Sequence, residues 1–267
     1  MTSVRGISIS AAALVLCTAA ACAHTQPKPA AAAAPPSASV APVATQGTPK
    51  ELLAALQKSP QQKNYAFTVA LPDLTAKGSV TPGAADVTVV SKYDDETDTA
   101  EIRVVGAVRY LRLGVKSKDF DKARTSSNPS LRAAAKALDG KTWHTVDPKR
   151  LKSALLTPNL NDVTGLTQFL RDAHADLGTV QQMSGTVNLA PTKGQHGLVD
   201  YDILKHAGAL QTFTATLDPQ GRMAEFTQDS SKPNWDFKFT GYDAQQPPAV
   251  PPGATALPAA MYEWIND

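Results

Sequence analysis

The sequence predicts an α+β domain in which antiparallel strands flank a helical middle, carried behind an export leader and a long linker. Three observations lead to this reading. Apolar residues alternate at period two from Tyr65 to Leu113, take helical spacing between Asn128 and Leu177, and return to period two from Gly185 to Thr240. Both cysteines, Cys17 and Cys22, lie in the leader, so the folded part has neither a disulfide nor a thiol and must rely on its core. The stretch from Ala23 to Gly47 is dominated by Ala, Pro, Ser, Thr and Gln, and cannot bury enough apolar surface to offset its ordering entropy.

The leader opens with Arg5 and an apolar run from Ile7 to Leu16. A bilayer needs about 20 apolar residues, so this run has the length of a secretory h-region instead. Small residues follow it, and Ala19-Ala20-Ala21-Cys22 resembles a bacterial lipobox. That resemblance implies a diacylglyceryl group on the Cys22 sulfur, with Cys22 as the first residue of the mature chain. Ala19 departs from the pattern, in which Leu is commonest three residues before the cysteine. The alternative is an ordinary signal peptide cut near Ala21. A free thiol at the N-terminus of an exported protein is a liability, which favours lipidation. Cys17 follows bulky Leu16 and is the poorer site. The expected organisation is a signal peptide with lipobox over 1–21, the lipidated cysteine and tether over 22–47, a folded domain over 48–258, and a C-terminal tail over 259–267.

A folded part of about 200 residues suits one domain with a sizeable core. The net charge of +2 is close to neutral and its signs are interspersed, without the basic stripe of a nucleic-acid binder.

Thr48-Pro49-Lys50-Glu51 is a capping box with proline at the first helical position, and Leu52, Leu53 and Leu56 give a short opening helix to about Ser59. Tyr65–Leu71, Thr75–Val80, Asp86–Tyr93, Thr99–Val105 and Val108–Leu113 then read as strands of an antiparallel meander, punctuated by Pro82-Gly83, an acidic turn at Asp94-Asp95-Glu96, and Gly106-Ala107. Asn128-Pro129 opens a helix with Leu131, Ala134, Ala135 and Leu138 on one face, and Gly140 sits at the C-cap. Trp143–Val146 is a brief strand. Asp147-Pro148 starts a helix carrying Leu151, Leu155 and Leu156. Asn161 or Asp162 caps a third, in which Val163, Leu166, Phe169, Leu170, Ala173 and Leu177 form a long stripe ended by Gly178. Strands are expected again over Gly185–Ala190, Gly197–Leu204, Thr212–Leu217, Met223–Gln228 and Asn234–Thr240. A tight turn at Asp218-Pro219-Gln220-Gly221 joins two of them. Beyond the Pro-rich 246–252 stretch, Met261, Trp264 and Ile265 suffice for one apolar helical turn.

No catalytic constellation emerges. The histidines (His24, His144, His174, His196 and His206) make no zinc spacing, and neither a nucleophile elbow nor a phosphate-cradling or dinucleotide-binding glycine motif occurs. Asp94-Asp95-Glu96-Asp98 lacks the spacing and closing glutamate of a calcium loop and reads as a solvated turn. The strand aromatics Tyr65, Phe67, Trp143, Trp235, Phe237 and Phe239 are ordinarily explained as core. The sharper reading is one curved sheet lining an apolar pocket closed by helices.

Four stretches are similar to the LolA-like lipoproteins of the LppX/LprG group: Val104-Val105-Gly106-Ala107-Val108-Arg109-Tyr110-Leu111, Lys141-Thr142-Trp143-His144-Thr145-Val146-Asp147, Leu217-Asp218-Pro219-Gln220-Gly221-Arg222, and Phe239-Thr240-Gly241-Tyr242-Asp243. The resemblance spans roughly Leu52 to Pro258, and the Pro-rich C-terminus departs from it. It implies an antiparallel half-barrel wrapped over central helices, enclosing an apolar cavity for acyl chains. On that reading, alternation and helix stripes nominate Phe67, Val69, Val104, Tyr110, Leu166, Phe169, Leu170, Phe213, Phe237 and Phe239 as pocket residues. The implied protein is a non-enzymatic lipoprotein anchored at the extracytoplasmic face of the cell membrane, binding or transporting lipids or lipoglycans. Its partners would be an acyl lipid or lipoglycan, the membrane through the N-terminal anchor, and a membrane transporter or envelope protein. Neither nucleic acid nor a cofactor is expected. The rival reading is an envelope structural or interaction module with a filled core.

Overall fold

Residues 48–58, 63–93, 96–151, 159–179, 182–206, 208–229 and 235–266 are described by the structure, a computed structural model. The expected signal peptide and tether, with Cys22, lie outside the described residues, as do Leu155 and Leu156 of the helix expected from Asp147. Helix α1 (Pro49–Lys58) starts with the expected capping box. The Thr48 amide donates to Glu51 Oε2 at 2.8 Å, and the Glu51 amide donates to Thr48 Oγ1 at 3.4 Å. Its Leu52 and Leu56 are buried.

The meander follows: β1 (Tyr65–Ala70), β2 (Leu74–Thr81), β3 (Ala84–Tyr93), β4 (Glu96–Val105) and β5 (Val108–Lys116). The middle comprises α2 (Lys118–Arg124), α3 (Pro129–Ala137), β6 (His144–Thr145), a short 3₁₀ turn (Pro148–Arg150) and α4 (Leu166–Arg171). Then come β7 (Ala173–Thr179), β8 (Gln182–Asn188), the small hairpin β9 (Gln195–His196) and β10 (Val199–Asp200), and α5 (Tyr201–His206). The chain ends with β11 (Leu210–Leu217), β12 (Met223–Asp229), β13 (Trp235–Thr240), β14 (Thr255–Ala256) and α6 (Ala259–Asn266).

Twelve of these strands form one open sheet in the order β14-β6-β5-β4-β3-β2-β1-β13-β12-β11-β8-β7. Its pairings are antiparallel except β14 with β6. The two halves of the sheet meet near its centre, where β1 pairs with β13 and sets Phe67 opposite Phe239 and Val69 opposite Phe237. Because side chains alternate across a strand, this register fixes which residues share a face. Tyr65, Phe67 and Val69 share theirs with Val80, Ala76, Val87, Val89, Ala100, Ile102 and Val104. All are buried and belong to a single core that also takes residues from the six helices. The class is thus α+β, with an open sheet folded around one core as a half-barrel. Gly78 is required where it stands: a Cβ there would lie 2.5 Å from the Asp86 carbonyl oxygen and 3.0 Å from the Phe67 ring.

The middle differs from the helical reading. The stripe from Val163 to Leu177 is not one long helix: α4 is six residues long, and Ala173 onward pairs with β8 as an edge strand. In that segment Ala173 and Ala175 also alternate with His174 and Asp176, and pairing with a neighbour decides between the two periods. The strand expected over Gly197–Leu204 is instead a two-residue strand leading into α5, whose start is held by the Asp202 amide donating to Asp200 Oδ1. An additional helix, α2, is capped by Ser117 Oγ, which accepts from the Phe120 amide at 3.1 Å. The C-terminal residues are not a tail outside the domain. They form α6, which buries Met261, Tyr262 and Ile265, and the Tyr262 hydroxyl accepts from the Asp147 amide.

Candidate functional site

Nine of the ten nominated pocket residues occupy the inner face of the sheet or the helix against it. Phe67, Val69 and Val104 lie on inner-facing positions of β1 and β4. Phe213, Phe237 and Phe239 do so on β11 and β13, and Leu166, Phe169 and Leu170 form the buried side of α4. Tyr110 is the exception. It pairs with Arg103, one step out of phase with Val104, Ile102 and Leu111, so it faces the outside of the sheet. The alternation in Val108-Arg109-Tyr110-Leu111 breaks because Tyr110 and Leu111 are both buried on opposite faces. On the outer face near Tyr110, Trp143 is covered by the guanidinium groups of Arg103 and Arg112, 5.1 and 4.8 Å from its ring centre. Arg103 is itself paired with Asp86, and Arg112 with Glu101. Trp143 therefore supports the outer wall and does not line the interior.

The inner face is aromatic where β11, β12, β13 and β1 run side by side. Phe213 stacks on Phe226 at 5.5 Å, and Phe226 meets Phe237 edge-on at 6.0 Å. Phe169 of α4 sits on this layer, 5.4 Å from Phe226, 5.7 Å from Trp235 and 6.4 Å from Tyr201. Sequence alternation misses Phe226. A register shift opposite Thr216 and Leu217 turns Phe226 and Gln228 inward, although counting by twos from Met223 would give Glu225 and Thr227.

Two glutamines interrupt that layer. Gln228 is fully buried and donates through Nε2 to Gln211 Oε1, while Gln211 Nε2 donates to the Gly208 carbonyl oxygen at 2.6 Å. Gln228 Oε1 has no hydrogen-bond partner. A buried polar atom left open costs about 1–3 kcal/mol, so this amide stands as an acceptor in apolar surroundings.

Outside α4 lies a polar cleft of about 610 Å³, bordered by Lys63, Asn161, Asp162, Thr167, Arg171 and His196 among others. Its floor is a close backbone crossing. Gly165 adopts φ 85°, and a Cβ there would come within 1.8 Å of the His196 carbonyl oxygen. The Leu198 amide donates to the Thr164 carbonyl oxygen at 3.2 Å, and the Tyr201 hydroxyl donates to that of Gly165 at 3.3 Å. Asp162 is tied into this floor: Oδ1 accepts from the Gly165 amide and Oδ2 from the Thr167 amide, both at 3.0 Å. Burial, partly offset by these donors, pushes its carboxyl up to about 6. The His196 ring lies edge-on to Tyr201 at 5.3 Å, with Nε2 3.0 Å from the Lys193 carbonyl oxygen. Sequence reading gave no sign of this cleft, because its residues come from three distant segments and share no motif. A second hollow, of about 490 Å³, lies between α1 and the edge strand β7, beside Lys50, Leu53 and His174.

Among the described residues no group of three His, Cys, Asp or Glu side chains is placed to hold a metal, and no helix is long and apolar enough to cross a membrane. No protein-family model matches the chain, and no curated protein matches it significantly. Among solved structures it is similar to LprF from Mycobacterium bovis, at 15% identity and a TM-score of 0.44, over 77% of this chain and 98% of that one. It is also similar to the Mycobacterium tuberculosis lipoprotein LppX, at 14% identity and a TM-score of 0.37, over 74% of this chain and 97% of that one. At such identities and scores, neither match says what this chain binds.

Proposed function

We propose that this protein is a membrane-anchored lipoprotein of the extracytoplasmic face that binds lipid acyl chains on the inner face of its half-barrel and carries them to or from a membrane or envelope partner. The observation that supports this reading is the composition of that face: a continuous aromatic layer covered by the six-residue helix α4 through Phe169. Each methylene moved from water onto such a surface contributes about 0.8 kcal/mol, so acyl chains need no further chemistry to be held. The ligand would enter by displacing a short helix. The reactive role left to the chain is Cys22, whose diacylglyceryl group supplies the two chains that stable anchoring requires.

The contacts of Phe169 favour a second reading, an interaction module with a filled core, because its ring already occupies the space over Phe226 and Trp235. Native mass spectrometry of protein purified from its own membrane separates the two. A carrier arrives with a second lipid besides the one on Cys22, and a filled module arrives without it. The anchor is checked by Cys22→Ala, which is expected to move the protein from the detergent phase to the aqueous phase, or to leave the leader uncut. A variant that partitions as the wild type does refutes lipidation.

A further inference from the structure

We propose that the polar cleft outside α4 is a binding site for a phosphate-bearing headgroup, with Lys63 and Arg171 as its ligands and His196 as a fixed wall. The proposal takes the lipid reading as the source of the phosphate, but the cleft itself is argued from its own geometry. Three arginines elsewhere in the domain are neutralised locally: Arg103 by Asp86, Arg112 by Glu101, and Arg222 by Asp218 and Asp243. Lys63 and Arg171 are not. Both border the cleft, and neither pairs with a carboxylate among the described residues. Asp162 is the one acid described on the cleft wall, and both its oxygens are taken up by backbone N–H groups of the floor. The floor is rigid because two glycine backbones cross at van der Waals limits: a Cβ on Gly197 would lie 2.5 Å from the Val163 carbonyl oxygen. A guanidinium fork and an ammonium bordering one cleft suit a tetrahedral oxyanion, and the cleft is roomy enough for the rest of a headgroup.

Its position supports a lipid as the source. Gln168, Thr167 and Arg171 of α4 face the cleft, while Leu166, Phe169 and Leu170 of the same helix face the aromatic layer. The helix thus separates the cleft from the apolar interior. A phospholipid lying across it would place its phosphate on one side and its acyl chains on the other.

The test compares two fluorescent probes with identical acyl chains, nitrobenzoxadiazole-labelled phosphatidic acid and diacylglycerol, titrated into the full-length protein in neutral detergent. We expect phosphatidic acid to bind at least about tenfold tighter, since each charged hydrogen bond is worth a factor of that order. Lys63→Ala with Arg171→Ala should erase the difference and leave diacylglycerol binding unchanged. Both residues are exposed, so the double variant should fold, and an unchanged melting temperature verifies it. A wild type without preference for phosphate, or a double variant that keeps the preference, overturns the proposal. If neither lipid binds, the carrier reading falls, and calorimetric titration with inorganic phosphate decides the cleft alone. Binding that is lost in the double variant then sustains it with free phosphate as ligand, and no binding refutes it.

Discussion

The two halves of the sheet bury different chemistry on the same face. From β2 to β5 the inward positions away from the rims are small or aliphatic: Ala76, Gly78, Val80, Ala85, Val87, Val89, Ala100, Ile102, Leu111 and Leu113. From β11 to β13 five of them are rings, Phe213, Phe226, Trp235, Phe237 and Phe239, with Ala215, Gln211 and Gln228 among them. Where inward side chains are small, other elements must come in to fill the volume, and α2, beside β5, brings Phe120 and Ala123 into the core. Where they are large, the rings fill the space against one another and against a six-residue helix. Stability in the first half is therefore spread over many modest contacts. In the second half it is concentrated in a few rings.

The largest expected effect tests that concentration. Phe226 touches Phe169, Phe213 and Phe237, so Phe226→Ala should cost about 3–5 kcal/mol, and Ile102→Val in the aliphatic half about 0.5–1.5 kcal/mol. For a domain of this size, the first loss lowers the melting temperature by roughly 10 °C. If acyl chains share the aromatic layer, added lipid should recover part of the loss in Phe226→Ala and none in Ile102→Val. Equal recovery in both variants would remove the distinction between the halves.

The glutamine pair comes next. Gln211→Leu takes away the acceptor of Gln228 Nε2 and leaves that fully buried side chain with a second open atom, at a cost of about 1–3 kcal/mol. Adding Gln228→Leu should return stability close to the wild-type value, because replacing both partners removes the desolvation penalty along with the bond. Denaturant unfolding of the two single variants and the double variant gives the coupling energy directly. Additive losses would mean that the amides are not coupled and that Gln228 Oε1 is satisfied by another route.

The same contrast explains what could be read from the sequence. Turns and period-two alternation locate β1 to β5 to within a few residues, because Pro82-Gly83 and Gly106-Ala107 need the left-handed backbone that Gly83 and Gly106 adopt, at φ 74° and 60°. The half-barrel comes from the resemblance, and the open sheet and its single core agree with it. The second half resisted for local reasons. The stripe through Ala173 satisfies both periods, the shift at β12 puts Phe226 out of phase, and Tyr201 starts a helix in what reads as a strand. The cleft was invisible because Asp162 and Arg171 meet His196 only through the crossing of two loops, and Lys63 comes from a third segment. A backbone contact between residues some 30 apart leaves no spacing to recognise.

The smallest expected effect concerns an ionisable group at the rim of the aliphatic half. Asp98 pairs across the sheet with Ser91 and Val115, in phase with Ala100 and Ile102, and its Oδ1 has no hydrogen-bond partner. Burial, and then the neighbouring charge of Glu96, push its carboxyl from the ordinary 3.8 up to about 6. The folded state thus holds this proton more tightly than the unfolded chain does. Its contribution to stability is fully present below about pH 4 and is lost as pH rises through about 6. Above that range the ionised carboxylate opposes folding, by roughly 1 kcal/mol after allowing for its partial exposure to solvent. Asp98→Asn keeps the shape and removes the charge, so it should melt about 2–4 °C above the wild type at pH 7 and together with it near pH 4. Asp162 titrates in the same direction in both proteins and cancels in the difference. A gap that opens between pH 4 and 6 locates the strain at this rim position. A gap independent of pH would instead assign it to packing, and the aliphatic half would then hold no charge that matters to its stability.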